Sequence, residues 1–191
     1  MEDEKYTAFR QRIEELESHF NVEVVDDDIT PQQEDLVRAF RLLCHAEIEN
    51  YIEELAITLL NEGMAYWNEH KLANYNIASL FINSDKIDKN FDVVQKSCQL
   101  FADFRKVIKN NHGIKEENIK KLFFPLGYLI DDFDTTFINN LSSFGVSRGL
   151  TAHTSAGSQI QQALNFRDEK SKVQNIVAEL VQFKNVLYSK M

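Results

Sequence analysis

The sequence predicts an all-α fold, a single-domain antiparallel helical bundle with additional short helices. Three observations carry that expectation. Only six glycines and two prolines punctuate 191 residues, so the breakers that many short strands need are scarce. Apolar side chains recur at three- and four-residue spacing over most of the chain, as on a helix with one buried face. The length suits one sizeable core and is short for two, so residues 1–191 are expected to form one domain, with a core over about 30–191 and an N-terminal helix over 4–20.

Each element has its own signal. Phe9, Ile13, Leu16 and Phe20 share a face between Glu4 and Phe20, with Glu14, Glu15 and Glu17 turned outward. Thr30-Pro31-Gln32-Gln33 then supplies a capping hydroxyl, a proline at the first helical position and a glutamine at the third. The helix that starts there carries Leu36, Val37, Phe40, Leu43, Cys44, Ile48, Tyr51, Ile52, Leu55 and Leu59, a spine of about seven or eight turns. Beyond it Gly63, Trp67, His70, Asn74, Asn76, Asn83 and Ser84 interrupt the period, and only short helical pieces around Asn76 to Phe81 are expected. Val93, Val94, Cys98, Phe101, Phe104, Val107 and Ile108 define a helix from Phe91 to Ile108, and a shorter one follows from Lys115 to Phe124. Phe123-Phe124-Pro125-Leu126-Gly127 breaks the chain, and Asp131 to Leu141 is helical again. A stretch rich in Ser, Thr, Gly and Ala, Ser142 to Ser158, precedes a closing helix from Asn165 to Tyr188.

Composition excludes several classes of function. No apolar run approaches the roughly 18 residues of a membrane span, and Met1-Glu2-Asp3-Glu4-Lys5 is no secretory signal, so a cytoplasmic protein with no membrane partner is expected. Cys44 and Cys98 lie in apolar helical patterns without metal-ligand spacing and are expected to be buried, reduced thiols. The net charge of −9 disfavours a general nucleic-acid binder. Its distribution is uneven, with 5 basic and 18 acidic residues in 1–70 against 6 basic and 3 acidic in 141–191. The acid is read as a solvated helix face rather than a recognition surface, while the last third remains able to meet a phosphate. Asp131, Asp132 and Asp134 are read as helix-start residues, and neither metal nor cofactor is expected.

The chemistry concentrates at Arg148-Gly149-Leu150-Thr151-Ala152-His153-Thr154-Ser155. Arginine followed by four to six residues and a histidine occurs four times: Arg12 with His19, Arg38 with His45, Arg105 with His112, and Arg148 with His153. Context separates them. The first two pairs lie within well-patterned helices, where a structural role suffices, and the third straddles a helix C-terminus, where a cation already meets the last carbonyls. Arg148 and His153 stand among small residues between two apolar helices, where packing does not ask for them. On an ideal helix they would point about 140° apart, so a loop-to-helix junction, broken at Gly149 or starting a new helix at His153, is the expected setting. The alternative is a surface arginine beside a histidine capped by Thr154 or Ser155.

This stretch resembles the signature of the RiboL-PSP-HEPN branch of the HEPN ribonuclease superfamily. Two further pieces resemble that branch in the same order, Leu42 to Ile52 on the spine, with Glu49 at the matching acidic position, and the break Phe124-Pro125-Leu126-Gly127. The resemblance implies a homodimeric helical bundle and a metal-independent endoribonuclease with its motif near a two-fold axis. Chemically, RNA cleavage without metal needs a base for the 2′-OH, an acid for the leaving 5′-oxygen and a cation for the phosphorane. Two His153 side chains sharing the proton transfers, with Arg148 on the phosphate, would meet those needs. Glu49 either orients Arg148 or His153 or is one more solvated charge beside Glu47, Glu53 and Glu54. Gly149 departs from the asparagine that many HEPN nucleases carry there. The usual setting of the family implies an RNA substrate, a toxin of a toxin–antitoxin or anti-phage system and an antitoxin protein as partner. The competing expectation is a non-catalytic dimeric helical module that binds protein or nucleotide.

Overall fold

A computed structural model describes residues 4–21, 29–84, 92–153 and 165–190. All regular structure among them is helical: α1 (Glu4–His19), α2 (Pro31–His70), α3 (Tyr75–Ile82), α4 (Val93–Lys109), α5 (Glu116–Phe123), a 3-10 turn (Ile130–Asp132), α6 (Thr135–His153) and α7 (Phe166–Tyr188). The 40-residue α2 is the spine, and each of the other six α-helices packs against it. Its start is set by the predicted capping box, in which Thr30 Oγ1 accepts from the Gln33 amide at 3.3 Å and Gln33 Oε1 accepts from the Thr30 amide at 2.9 Å. One apolar core draws on every helix, through Phe9 and Leu16, Ile48 and Leu59, Ile77, Phe104, Ile119, Leu141 and Phe144, and Ile176 and Leu180.

The structure corrects three expectations. α2 does not stop near Leu59 but continues through Gly63 and Trp67 to His70, where Lys71 in the left-handed region (φ 59°) ends it. Gly63 is a close-packing position rather than a breaker, because a Cβ there would stand 2.7 Å from Ile77 Cγ1 of α3. Second, the segment after Leu141 is not a junction. α6 runs unbroken to His153, its stripe extended by Phe144, while Ser147 Oγ and Thr151 Oγ1 donate to the carbonyls four residues back at 3.0 and 2.9 Å. The small polar residues thus satisfy the helix instead of competing with it. Third, Cys44 is buried but Cys98 is exposed, because only the later part of the α4 stripe (Phe101, Phe104, Ile108) turns to the core while Val93 and Val94 face outward. Burial pushes the Cys44 thiol far above its ordinary pKa.

The acids at 131–134 do stand at helix starts, but they are split between the 3-10 turn and α6 rather than opening one helix from Asp131. Asp134 Oδ1 accepts from the Phe137 amide at 2.9 Å and caps α6, while Asp132 accepts from the Leu129 amide at 2.8 Å and from Lys190 at 2.5 Å. The break before α6 is a tight turn at Gly127 (φ 94°). Tyr75 donates to the Gly127 carbonyl at 2.8 Å and Asn76 Nδ2 to the Leu126 carbonyl at 3.1 Å, so α3 holds the turn that aims α6. Gly127→Ala adds left-handed strain and a Cβ 2.5 Å from the Tyr75 ring. It should destabilise the fold by about 1 to 3 kcal/mol, visible as a melting temperature several degrees lower; an unchanged melt would refute this account of the turn.

Candidate functional site at the end of helix α6

Four polar side chains interrupt the apolar stripe of α2 at Arg41, His45, Glu49 and Glu53, each four residues after the last, the spacing of one ridge on a helix surface. Contacts along the ridge reach α6, α7 and the α4–α5 connection. Arg41 Nε donates to Glu169 Oε2 of α7 at 2.8 Å, and its Nη1 donates to Thr151 Oγ1 of α6 at 2.9 Å. Lys172 adds a second bond to Glu169 at 2.7 Å. His45, only 2% exposed, stacks near the Phe144 ring of α6, with centroids 6.0 Å apart. Its Nδ1 stands 3.4 Å from Glu49 Oε2, within ion-pair reach but off the directional geometry of a hydrogen bond.

Glu49 is the hinge of this arrangement. Its Oε1 accepts from the Gly113 amide, at a position where φ of +131° favours glycine. One turn further, Glu53 Oε1 accepts from Asn111 Nδ2 at 2.9 Å, and Asn118 Nδ2 donates to Asn111 Oδ1 at 3.0 Å, which secures the α4–α5 connection. Burial by itself would raise the Glu49 pKa. The approach of His45, the Gly113 amide and the charge of Arg148 outweigh it and hold the carboxyl below its ordinary 4.5. Glu49 is therefore ionised at neutral pH and lies within the electrostatic reach of Arg148.

Arg148 is half-buried on α6 and forms no ion pair with any described residue. His153 is the last residue of α6. Because no break occurs at Gly149, helical geometry sets positions 148 and 153 about 140° apart around the axis. Nothing among the described residues lies within 4 Å of where a Cβ at Gly149 would stand, so their packing does not demand glycine there. Thr154 and Ser155, the other two predicted site residues, lie outside the described residues.

The remaining arginine–histidine pairs divide as follows. Arg12 pairs with Glu15 at 3.1 Å and Glu47 at 3.3 Å and joins α1 to α2, while His19 is exposed. Arg105 donates to Asn61 Oδ1 at 2.8 Å, and His112 is exposed. Of the pair in α2, His45 stands beside Glu49, a neighbourhood that arginine–histidine spacing did not reveal. The available signal was the polar row at 41, 45, 49 and 53 inside an apolar stripe. Among the described residues, no cluster of three or more His, Cys, Asp or Glu side chains has metal-binding geometry.

All regular structure among the described residues is helical, and the half-buried Arg148 on α6 lies within the electrostatic reach of Glu49 on α2. The model of the RiboL-PSP-HEPN family matches residues 7–189, and the chain belongs to that family of the HEPN superfamily. This membership is consistent with a nuclease-type function. No curated protein and no solved structure matches the chain.

The depressed carboxyl of Glu49 has a defined pH signature. A lowered native pKa contributes stability that is complete above the ordinary 4.5 and lost as pH falls through the native value. Glu49→Gln should therefore melt below wild type at pH 7, and the gap should close as pH is lowered from 5 toward 3. A gap independent of pH, followed by thermal melts across that range, would contradict the assignment.

Proposed function

We propose that this protein is a metal-independent endoribonuclease, active as a homodimer, in which Arg148 and His153 of two chains form the cleavage site. The observation that carries the reading is Arg148, a half-buried guanidinium near the ionised Glu49 and free of ion pairs to the described residues, in a chain of a HEPN family. Such a planar, permanently charged fork is suited to two phosphate oxygens.

In this mechanism Arg148 holds the scissile phosphate and stabilises charge on the phosphorane. One His153 accepts the proton of the ribose 2′-OH as its oxygen attacks phosphorus, and His153 of the other chain donates a proton to the departing 5′-oxygen. The products end in a 2′,3′-cyclic phosphate and a 5′-OH. Glu49 orients Arg148, and Thr154 and Ser155 contribute hydroxyls beside the histidine. The 140° separation within one helix also favours sharing the site between chains, since one helix does not aim both side chains at one point. Val146 and Leu150, one turn apart on the side of α6 that carries position 153 rather than Arg148, are exposed apolar side chains of the kind a second chain covers. The biological setting proposed is a cytoplasmic toxin of a toxin–antitoxin or anti-phage system, restrained by an antitoxin protein.

Purified wild type, Arg148→Ala and His153→Ala, incubated with a panel of structured RNAs and a chelator, provide the test. Wild type should yield cyclic-phosphate ends and each variant should lose at least about 100-fold in rate. Equal cleavage by all three, or none by wild type across the panel, refutes the enzyme and leaves a non-catalytic helical module. Sedimentation supplies an independent check: a dimer is expected at micromolar concentration, and a strict monomer removes the shared-histidine mechanism.

A further inference from the structure

Arg41 is 7% exposed and Glu169 2%, so their pair is an expensive feature of the core. The pair does not act alone in joining α2 to α7. Lys172 already supplies Glu169 with a counter-charge from its own helix at 2.7 Å, and apolar contacts such as Phe40 against Phe166, with ring centroids 5.1 Å apart, join α2 to α7. What only Arg41 provides is the second arm of the guanidinium, which crosses to Thr151.

Thr151 lies between Arg148 and His153, in the last described turn of α6. Its hydroxyl accepts from Arg41 Nη1 at 2.9 Å and donates to the Ser147 carbonyl at 2.9 Å. Both capacities of the hydroxyl are used in one continuous chain, Glu169 to Arg41 to Thr151 to Ser147. The guanidinium is planar, so the bond from Nε to Glu169 fixes the direction in which Nη1 reaches, and the height of Thr151 is set against α7.

We infer that Arg41 and Thr151 are positioning residues for the cleavage site, locking the last turn of α6 so that Arg148 and His153 keep the spacing that the reaction needs. The inference rests on the endoribonuclease reading and adds two residues to it. Neither touches the RNA. Their effect is on geometry, where displacements of about 1 Å at a reacting group cost on the order of 100-fold in rate.

Thr151→Val keeps the shape of the side chain and removes the hydroxyl, and Thr151→Ser restores it. Rates are measured on the RNA of the panel that wild type cleaves fastest, beside Arg148→Ala. Thr151→Val should lower kcat at least about tenfold with KM within about twofold, and Thr151→Ser should lie within about threefold of wild type. Amide exchange over 148–153 should quicken in the valine variant and stay near wild type in the serine variant, a readout independent of catalysis. Cleavage that Arg148→Ala abolishes but Thr151→Val leaves intact overturns the inference alone. A valine variant with unchanged exchange in that turn does the same, as does a serine variant as impaired as valine. Absence of cleavage by wild type overturns the inference together with the reading beneath it.

Discussion

A ridge of buried and half-buried ionisable side chains along one helix governs the arrangement of the others. Arg41, His45, Glu49 and Glu53 share a face of α2 that apolar contacts otherwise occupy, and charge cannot be withdrawn from water without compensation. The compensation comes from elsewhere in the chain: Glu169 on α7, Thr151 on α6, and Gly113 and Asn111 in the α4–α5 connection. Each of these contacts fixes a direction as well as a distance. Apolar packing brings the helices together, and the ridge decides how they are rotated and where they stop.

The acidic excess of the first 70 residues takes on structure in the same way. Glu47 pairs with Arg12 across α1 and α2, and Glu17 pairs with Lys170 of α7 at 3.1 Å. Part of what looks like a solvated face is therefore a seam between the N-terminal helix and the rest. The pairs are half-exposed and individually weak, but they fix the register of α1 against the spine without competing with the buried ridge.

Helix existence was legible in the sequence because the apolar period is long and the caps are explicit: Thr30, Asn74, Asp134 and Asn165 each accept from a backbone amide at a helix start. Helix length was less legible at both small-residue stretches. Gly63 reads as a breaker until its neighbour Ile77 is known, and Ser147 and Thr151 read as a loop until their hydroxyls are seen bonding to carbonyls of the helix. Arg148 and Glu49 were both singled out from the sequence, and Glu49 is half-buried and accepts from the Gly113 amide rather than standing free in solvent. Arg41, Glu169 and Gly113 were not singled out, since their partners stand 128, 110 and 64 residues away. Local spacing carries no trace of such pairings.

The buried bond between Arg41 and Glu169 also orders events in time. Arg41 and Thr151 both precede Glu169 in the chain, and until α7 is in place the arginine that reaches Thr151 lacks the carboxylate that aims it. The turn at Thr151 and the carboxylate that steadies its arginine thus come together only when α7 packs on α2. A chain cut short before Glu169 keeps Arg148 and His153 in its sequence but not the anchor that reaches their helix through Arg41.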